Sequence, residues 1–196
     1  MSSDSSDTRT RILKAALDLL EEGTGSAVRM SDIAKKAAIS RQAIYLHFRT
    51  RAELLIATTH YLDELKDLNA RLVASRTAAS GAARLDAFVK TWGNYIPENY
   101  GIAKALMAMQ DTDQEAKAAW ATRMQDMREG CEAAINALRD DGTLSPDYQP
   151  EEATDMLWTM LSVRNWEQLT IDCGWSQEKY IETLKSMAQR LFVKDT

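Results

Sequence analysis

Residues 31–48 restrict the possible fold more than any other part of the chain, because they combine two short helical patterns with a very short connection. The first pattern reads SDIAKKA and the second reads RQAIYLHF, with the three residues AIS between them. Ser31 and Ser40 are suited to cap the two helices. Ile44 and Phe48 are four residues apart, so both face the same side of the second helix. The stretch predicts a helix, a short turn and a second helix.

The second of these helices carries an unusual outward face. With Ile44 and Phe48 facing inward, the other side chains lie on or beside the exposed side: Arg41, Gln42, Ala43, Tyr45, Leu46 and His47. Arg and Gln can form paired hydrogen bonds with guanine and adenine edges, while Ala43 and Leu46 can contact a thymine methyl group. The pattern therefore predicts a recognition helix that enters the major groove of DNA.

The charge distribution supports a nucleic-acid partner for one part of the chain only. The formal net charge of the 196 residues is −5. Residues 1–60 carry nine Lys and Arg against seven Asp and Glu, whereas residues 61–196 carry 15 against 22. Between Arg29 and Arg51 there are six basic residues and a single acid, Asp32. This segment is the one that we expect to face a polyanion.

The rest of the sequence predicts an all-α protein. Glycine and proline are scarce, with 8 and 3 residues, and helix formers dominate. Capping signals and apolar stripes predict about nine helices, at 7–23, 31–37, 41–48, 51–72, 82–96, 100–109, 113–140, 150–172 and 176–193. Pro97 is expected to stop the fifth of them. The predicted domains are a three-helix head, residues 1–52, and a larger body, residues 53–196.

The sequence gives little support for catalysis or for a membrane location. Only two cysteines and two histidines occur, so we expect no disulfide framework, no metal ion, no cofactor and no catalytic Ser/His or Cys/His arrangement. The longest apolar runs are too short to span a bilayer, and the N-terminus lacks the pattern of a signal peptide. We therefore expect a cytoplasmic protein that is not an enzyme.

About 50 N-terminal residues resemble the TetR family of transcriptional regulators. The resemblance rests on TRTRILKAALDLLEEG and MSDIAKKAAISRQAIYLHFRTRAELL. It implies base contacts by Arg41, Gln42, Ala43 and Leu46, and phosphate contacts by Ser31, Tyr45, His47 and Arg51. Two positions depart from the family pattern: Ala38 replaces a usual glycine in the turn, and Arg51 replaces a usual lysine, which keeps the charge.

For the body the resemblance implies only an arrangement, namely a ligand-binding core and two final helices that pair with a partner subunit. We expect a homodimer held by residues 150–193, since Leu157, Leu161, Leu184, Met187 and Leu191 carry more apolar surface than a monomer can hide. A small apolar or aromatic ligand is expected in the body. Chosen for size and polarisability, the expected wall residues are Trp92, Tyr95, Met107, Trp120, Met124 and Trp158.

These features favour a repressor that binds a palindromic operator as a dimer and is released by its ligand, with the fourth helix as the coupling element. One alternative is a helical DNA-binding regulator with a filled core and no small-molecule inducer. An all-helical enzyme is a more distant alternative, because no motif in the sequence indicates reaction chemistry.

Overall fold

The computed structural model describes residues 2–22 and 28–194, and over these residues the chain is helical with no β-strand. The first seven helices are α1 (Ser2–Glu21), α2 (Met30–Lys36), α3 (Arg41–His47), α4 (Arg51–Leu65), α5 (Leu68–Arg71), α6 (Val73–Arg76) and α7 (Gly81–Met109). They are followed by α8 (Gln114–Asp140), α9 (Pro150–Met160), α10 (Val163–Glu167), a π-helical turn (Gln168–Asp172) and α11 (Gln177–Phe192). The all-α expectation is confirmed. The predicted end of the first helix at Gly23 lies outside the described residues.

The helices belong to two compact units. The first unit comprises Met1–Lys66 and Asn99–Met124, and the second comprises Asp67–Glu98 and Gln125–Thr196. Residues 99–124 thus pack with the N-terminal helices although they are distant in sequence. The functional division expected at residues 52 and 53 stays a prediction, since compactness does not measure function.

One continuous core holds the first unit together. It is built from apolar residues of α1 to α4 and of the first-unit parts of α7 and α8, including Ile12, Leu20, Ile33, Ile44, Phe48, Leu54, Leu62, Ile102, Leu106 and Ala116. All of these side chains are at most 3% exposed. The apolar spacing read from the sequence for α1, α3 and α4 therefore faces this core.

The second unit has close contacts between its helices. A Cβ atom at Gly81 of α7 would lie 2.6 Å from the backbone nitrogen of Leu138 in α8, so only glycine allows this approach. Gln189 of α11 donates a hydrogen bond from its Nε2 to the Ala82 carbonyl, 3.0 Å away. These contacts join α7 to both α8 and α11.

The expectation that Pro97 stops a helix is wrong, because α7 continues through it to Met109. Proline cannot donate the hydrogen bond that the carbonyl four residues earlier would receive. Here that carbonyl belongs to Gly93, and it accepts a hydrogen bond from Gln177 Nε2 at 2.8 Å. Gln177 Oε1 in turn accepts a hydrogen bond from Trp166 Nε1 at 2.8 Å. A residue 80 positions further along the chain therefore replaces the missing donor.

Two other predicted helices are interrupted. The fourth ends at Leu65 rather than near Leu72, and Asp67 follows in the left-handed region with φ 51°. The helix expected over 150–172 ends at Met160, and a new one starts after Ser162, whose side chain accepts a hydrogen bond from the Asn165 N–H. At Ser162 the break is supported by this side-chain hydrogen bond, whereas at Asp67 an acid tolerates the left-handed conformation; the apolar spacing reveals neither break.

Candidate nucleic-acid interface

The turn before the recognition helix is fixed by hydrogen bonds at both ends. The Ile39 N–H donates to the Ala34 carbonyl at 3.0 Å, and Ser40 Oγ accepts a hydrogen bond from the Ala43 N–H at 3.0 Å. Arg11 of α1 donates to the Ala37 carbonyl at 2.7 Å. The expected cap at Ser40 is confirmed. Ser31 is not the cap of α2, because this helix begins one residue earlier, at Met30.

Ala38 adopts φ 54° in this turn, a region that L-residues with a side chain rarely occupy. We expect Ala38→Gly to raise the free energy of unfolding by about 0.5–1 kcal/mol, since the relieved strain exceeds the added flexibility of the unfolded chain. Chemical denaturation measures the change. Ala121→Gly, at an exposed position within α8, is the control and should destabilise the protein by about 1 kcal/mol. Equal destabilisation by both substitutions would contradict the assigned strain.

The recognition helix α3 has clearly different faces. Ile44 and Phe48 are 0% exposed, whereas Leu46 is 86% exposed and Tyr45 is 43% exposed. Arg41 and Gln42 are exposed as well, and Ala43 and His47 are half-buried beside them. The structure therefore brings all six predicted side chains onto or beside one accessible surface.

Arg9 of α1 supports the end of this helix. Its guanidinium carbon lies 4.3 Å from the centre of the Phe48 ring, and its Nη1 donates to the His47 carbonyl at 3.4 Å. Sequence reasoning did not assign a role to Arg9. Only the packing of α1 against the end of α3 reveals this contact.

A cleft with a volume of about 440 Å³ lies beside the recognition helix, and we call it the basic cleft. Its lining consists of Arg29, Met30, Ser31, Arg41, Tyr45, Arg49, Thr50, Arg51 and Glu115. Four of the predicted DNA-binding residues are thus brought together with two further arginines. Arg29 and Arg49 were recognised in the sequence only as part of a basic run. Their convergence suits an anionic backbone that passes the recognition helix.

The side chain of Arg51 is largely buried and paired with an acid, whereas a simple phosphate contact requires an accessible guanidinium. Its side chain is 11% exposed, and its Nη1 lies 2.5 Å from Asp113 Oδ2. Its Nε donates to the Val28 carbonyl. A phosphate contact by Arg51 stays a prediction, and in this arrangement all three of its guanidinium nitrogens already donate hydrogen bonds within the first unit.

Asp113 lies between Arg51 and the start of α8. Its Oδ1 accepts hydrogen bonds from the Glu115 and Ala116 N–H groups at 3.1 and 3.2 Å. Burial acts to raise the pKa of Asp113, but the hydrogen bond from Arg51 and the two backbone donors outweigh it, so this pKa is lower than its ordinary value. Asp113 therefore favours its ionised form.

The residues expected to bind a ligand fall into two groups. Trp92, Tyr95 and Trp158 belong to the second unit, and Met107, Trp120 and Met124 belong to the first. Trp92 and Tyr95 are buried, and their ring centres lie 5.7 Å apart. The other four side chains are half-buried. A shared role in ligand binding stays a prediction.

Tyr180 in α11 is a buried polar residue for which the sequence indicated no functional role. It is 0% exposed, and its hydroxyl has no hydrogen-bond partner among the residues that the structure describes. Burial raises the pKa of this phenol. A hydroxyl in this environment can form a hydrogen bond with a water molecule or with a polar group of a ligand.

No helix within residues 2–22 and 28–194 is both long enough and apolar enough to cross a membrane.

Comparison with known proteins gives consistent results for the head and for the fold. Residues 12–58 match the family described as bacterial regulatory proteins, tetR family. The transcriptional regulator EthR from Mycobacterium tuberculosis is 26% identical over 141 residues, which is 69% of this chain and 63% of EthR. Another curated relative is matched over 54% of its length. The chain thus spans less than two thirds of each of these relatives.

Solved structures share the fold over nearly the whole chain. A transcriptional regulator from Saccharomonospora viridis in complex with choline has a TM-score of 0.73 at 19% identity, and the match covers 97% of this chain and 100% of that one. NalD, the secondary repressor of the MexAB-OprM multidrug efflux pump in Pseudomonas aeruginosa, has a TM-score of 0.69 at 23% identity, with 100% of both chains covered.

The matched residues 12–58 include the whole helix-turn-helix, from α2 to α3, together with the start of α4. The family description and the regulatory relatives agree with the accessible recognition helix and the basic cleft that the structure shows. Residues 12–58 therefore form a helix-turn-helix head of the tetR family type, and the chain as a whole shares the fold of the solved structures named above.

Proposed function

We propose that the chain is a repressor that binds a palindromic operator as a homodimer and is released by a small apolar or aromatic ligand. The observation that carries this proposal is the exposed face of α3 beside the basic cleft. Base contacts are assigned to Arg41, Gln42, Ala43 and Leu46, and phosphate contacts to Ser31, Tyr45, His47 and Arg51. The exposure of Arg41, Gln42 and Leu46 supports the first group.

Gln42→Ala tests the assignment to base readout. Loss of a paired contact with adenine should cost about 1–3 kcal/mol of discrimination at one base position, with little change at the others. Selection of bound duplexes from a randomised pool measures the preference before and after the substitution. Gln125→Ala, at an exposed position on α8, is the control and should leave the preference unchanged. An unaltered preference at every position in Gln42→Ala would refute base readout by this residue.

The apolar residues that could contact a partner in the proposed homodimer are largely not those expected from the sequence. Leu157, Leu161 and Leu184 are at most 4% exposed, so the expectation that a monomer cannot hide them is wrong. They are buried because α9 and α11 pack within their own chain. Met187 and Ile171 remain 42% and 53% exposed in the expected segment 150–193. They support a partner surface there, and two-fold symmetry would present two heads to a palindrome.

The proposed ligand would bind in the body. The packed Trp92 and Tyr95 rings and the Tyr180 hydroxyl supply apolar walls and one polar group in the second unit. The choline complex of the Saccharomonospora viridis regulator shows that a protein of this fold can hold a small molecule. A regulator with a filled core and no inducer is the alternative. Ligand-dependent thermal stabilisation would distinguish the two, because a ligand that binds only the folded state stabilises it.

The proposed coupling element is α4, which begins at Arg51, with three residues between it and the end of α3 at His47. A ligand that favours a different spacing of the two heads would lower operator affinity, because the recognition helices must be ~34–36 Å apart. Its effect cannot exceed the difference between its affinities for the two states, typically ~1–3 kcal/mol. A ligand that binds without changing DNA affinity would refute this coupling.

A further inference from the structure

An acidic side chain occupies the basic cleft. Glu115, in the first turn of α8, lines this surface together with Arg29, Arg41, Arg49 and Arg51. The side chain of Glu115 is 42% exposed, so it is accessible from the same side as the arginines. A carboxylate at this place opposes the attraction of the cleft for a DNA phosphate.

Glu115 binds groups that an incoming phosphate would use. Its Oε1 accepts a hydrogen bond from the Ala52 N–H at 3.2 Å. Ala52 is the second residue of the 15-residue helix α4, whose N-terminal N–H groups and dipole attract anions. The other oxygen of Glu115, Oε2, lies 3.7 Å from Arg51 Nη1. The carboxylate thus lies at a helix terminus and beside a guanidinium, as a bound phosphate would.

Asp113 keeps this arrangement in place. One of its oxygens accepts hydrogen bonds from the first N–H groups of α8, and the other accepts one from Arg51 at 2.5 Å. The side chains of Arg51 and Asp113 are 11% and 14% exposed, which makes the contact much less accessible than a surface ion pair. The start of α8 is therefore attached to the start of α4 by two acids.

We propose that Glu115, positioned by Asp113, is an internal competitor of DNA phosphate at the start of α4. DNA binding then requires the Glu115 carboxylate to leave Ala52 and Arg51, and any shift of the α7–α8 turn changes the affinity for DNA. This inference rests on the proposed DNA binding. It assigns to residues 110–115 a regulatory role that none of the base-contacting residues has.

The test compares Glu115→Gln with Asp111→Asn in the full-length protein. Both substitutions remove one negative charge, and the two residues are four positions apart, but Asp111 is an exposed residue of the α7–α8 turn and does not line the basic cleft. Binding is measured to a duplex of about 30 base pairs of arbitrary sequence at several salt concentrations, because phosphate contacts do not depend on sequence. Glu115→Gln should bind about three- to tenfold more tightly than Asp111→Asn. Its logarithmic salt dependence should be steeper by about 0.9 for each phosphate gained.

Equal affinity and equal salt dependence of the two variants would overturn the proposal and leave Glu115 a purely structural role. Glutamine keeps an oxygen that can accept the Ala52 hydrogen bond, so the variant should fold, and its thermal unfolding checks this. Glu115→Ala is the second variant and should show the same direction of change. If the wild-type protein bound no duplex at low salt, the proposed function itself would fail, which is a different result from equal affinities of the variants.

Discussion

Replacement of Ile44 by alanine is expected to lower the free energy of unfolding by about 2–5 kcal/mol, whereas Leu46→Ala should change it little. The two side chains have the same size and lie two residues apart on α3. Ile44 is 0% exposed in the core of the first unit, and Leu46 is 86% exposed. Urea unfolding followed by circular dichroism measures the two changes.

In DNA binding we expect the larger effect from Leu46→Ala and the smaller one from Ile44→Ala. Under conditions where both variants are folded, Leu46→Ala loses a contact that we assign to a base edge, so its preference among DNA sequences should weaken. Ile44→Ala should lose affinity only as far as its folded population falls. If Leu46→Ala were as destabilising as Ile44→Ala, the orientation of the recognition helix would be wrong.

Arg123→Met is expected to destabilise the protein by about 3–5 kcal/mol, since it removes one partner of a largely buried ion pair. Arg123 of α8 and Asp63 of α4 form two parallel hydrogen bonds, Nη1 to Oδ2 at 2.6 Å and Nη2 to Oδ1 at 2.8 Å. Their side chains are 10% and 17% exposed. Thermal or urea unfolding measures the loss.

Two controls separate the lost pair from the loss of an arginine as such. Arg128→Met removes an arginine from the same helix, but its partner Asp155 has a side chain that is 61% exposed, so Tm should change little. The double variant Asp63→Leu with Arg123→Met removes both charges and should recover most of the lost stability. A double variant that is no more stable than Arg123→Met would show that the remaining Asp63 carboxylate is not the source of the lost stability.

The sequence by itself determined the local features of this protein. The spacing of Ile44 and Phe48 determines which side of α3 is buried, because residues four apart in a helix share a face whatever the helix packs against. In the same way, the apolar stripes predict α1 and α8, and Ser40 predicts the start of α3, where its side chain accepts a hydrogen bond from the Ala43 N–H. Each of these features depends only on residues within one or two turns.

Contacts between distant residues could be decided only by the tertiary structure. Pro97 predicts the end of a helix until Gln177 is known to bond to the Gly93 carbonyl. Arg51 suits a phosphate contact until Asp113, 62 residues away, is found beside its guanidinium. No local spacing in the sequence indicates either partner. Packing brings these residues together, and a buried polar group must then bond to whatever neighbour the packing supplies, which is why the sequence predicts the helices but not these bonds between them.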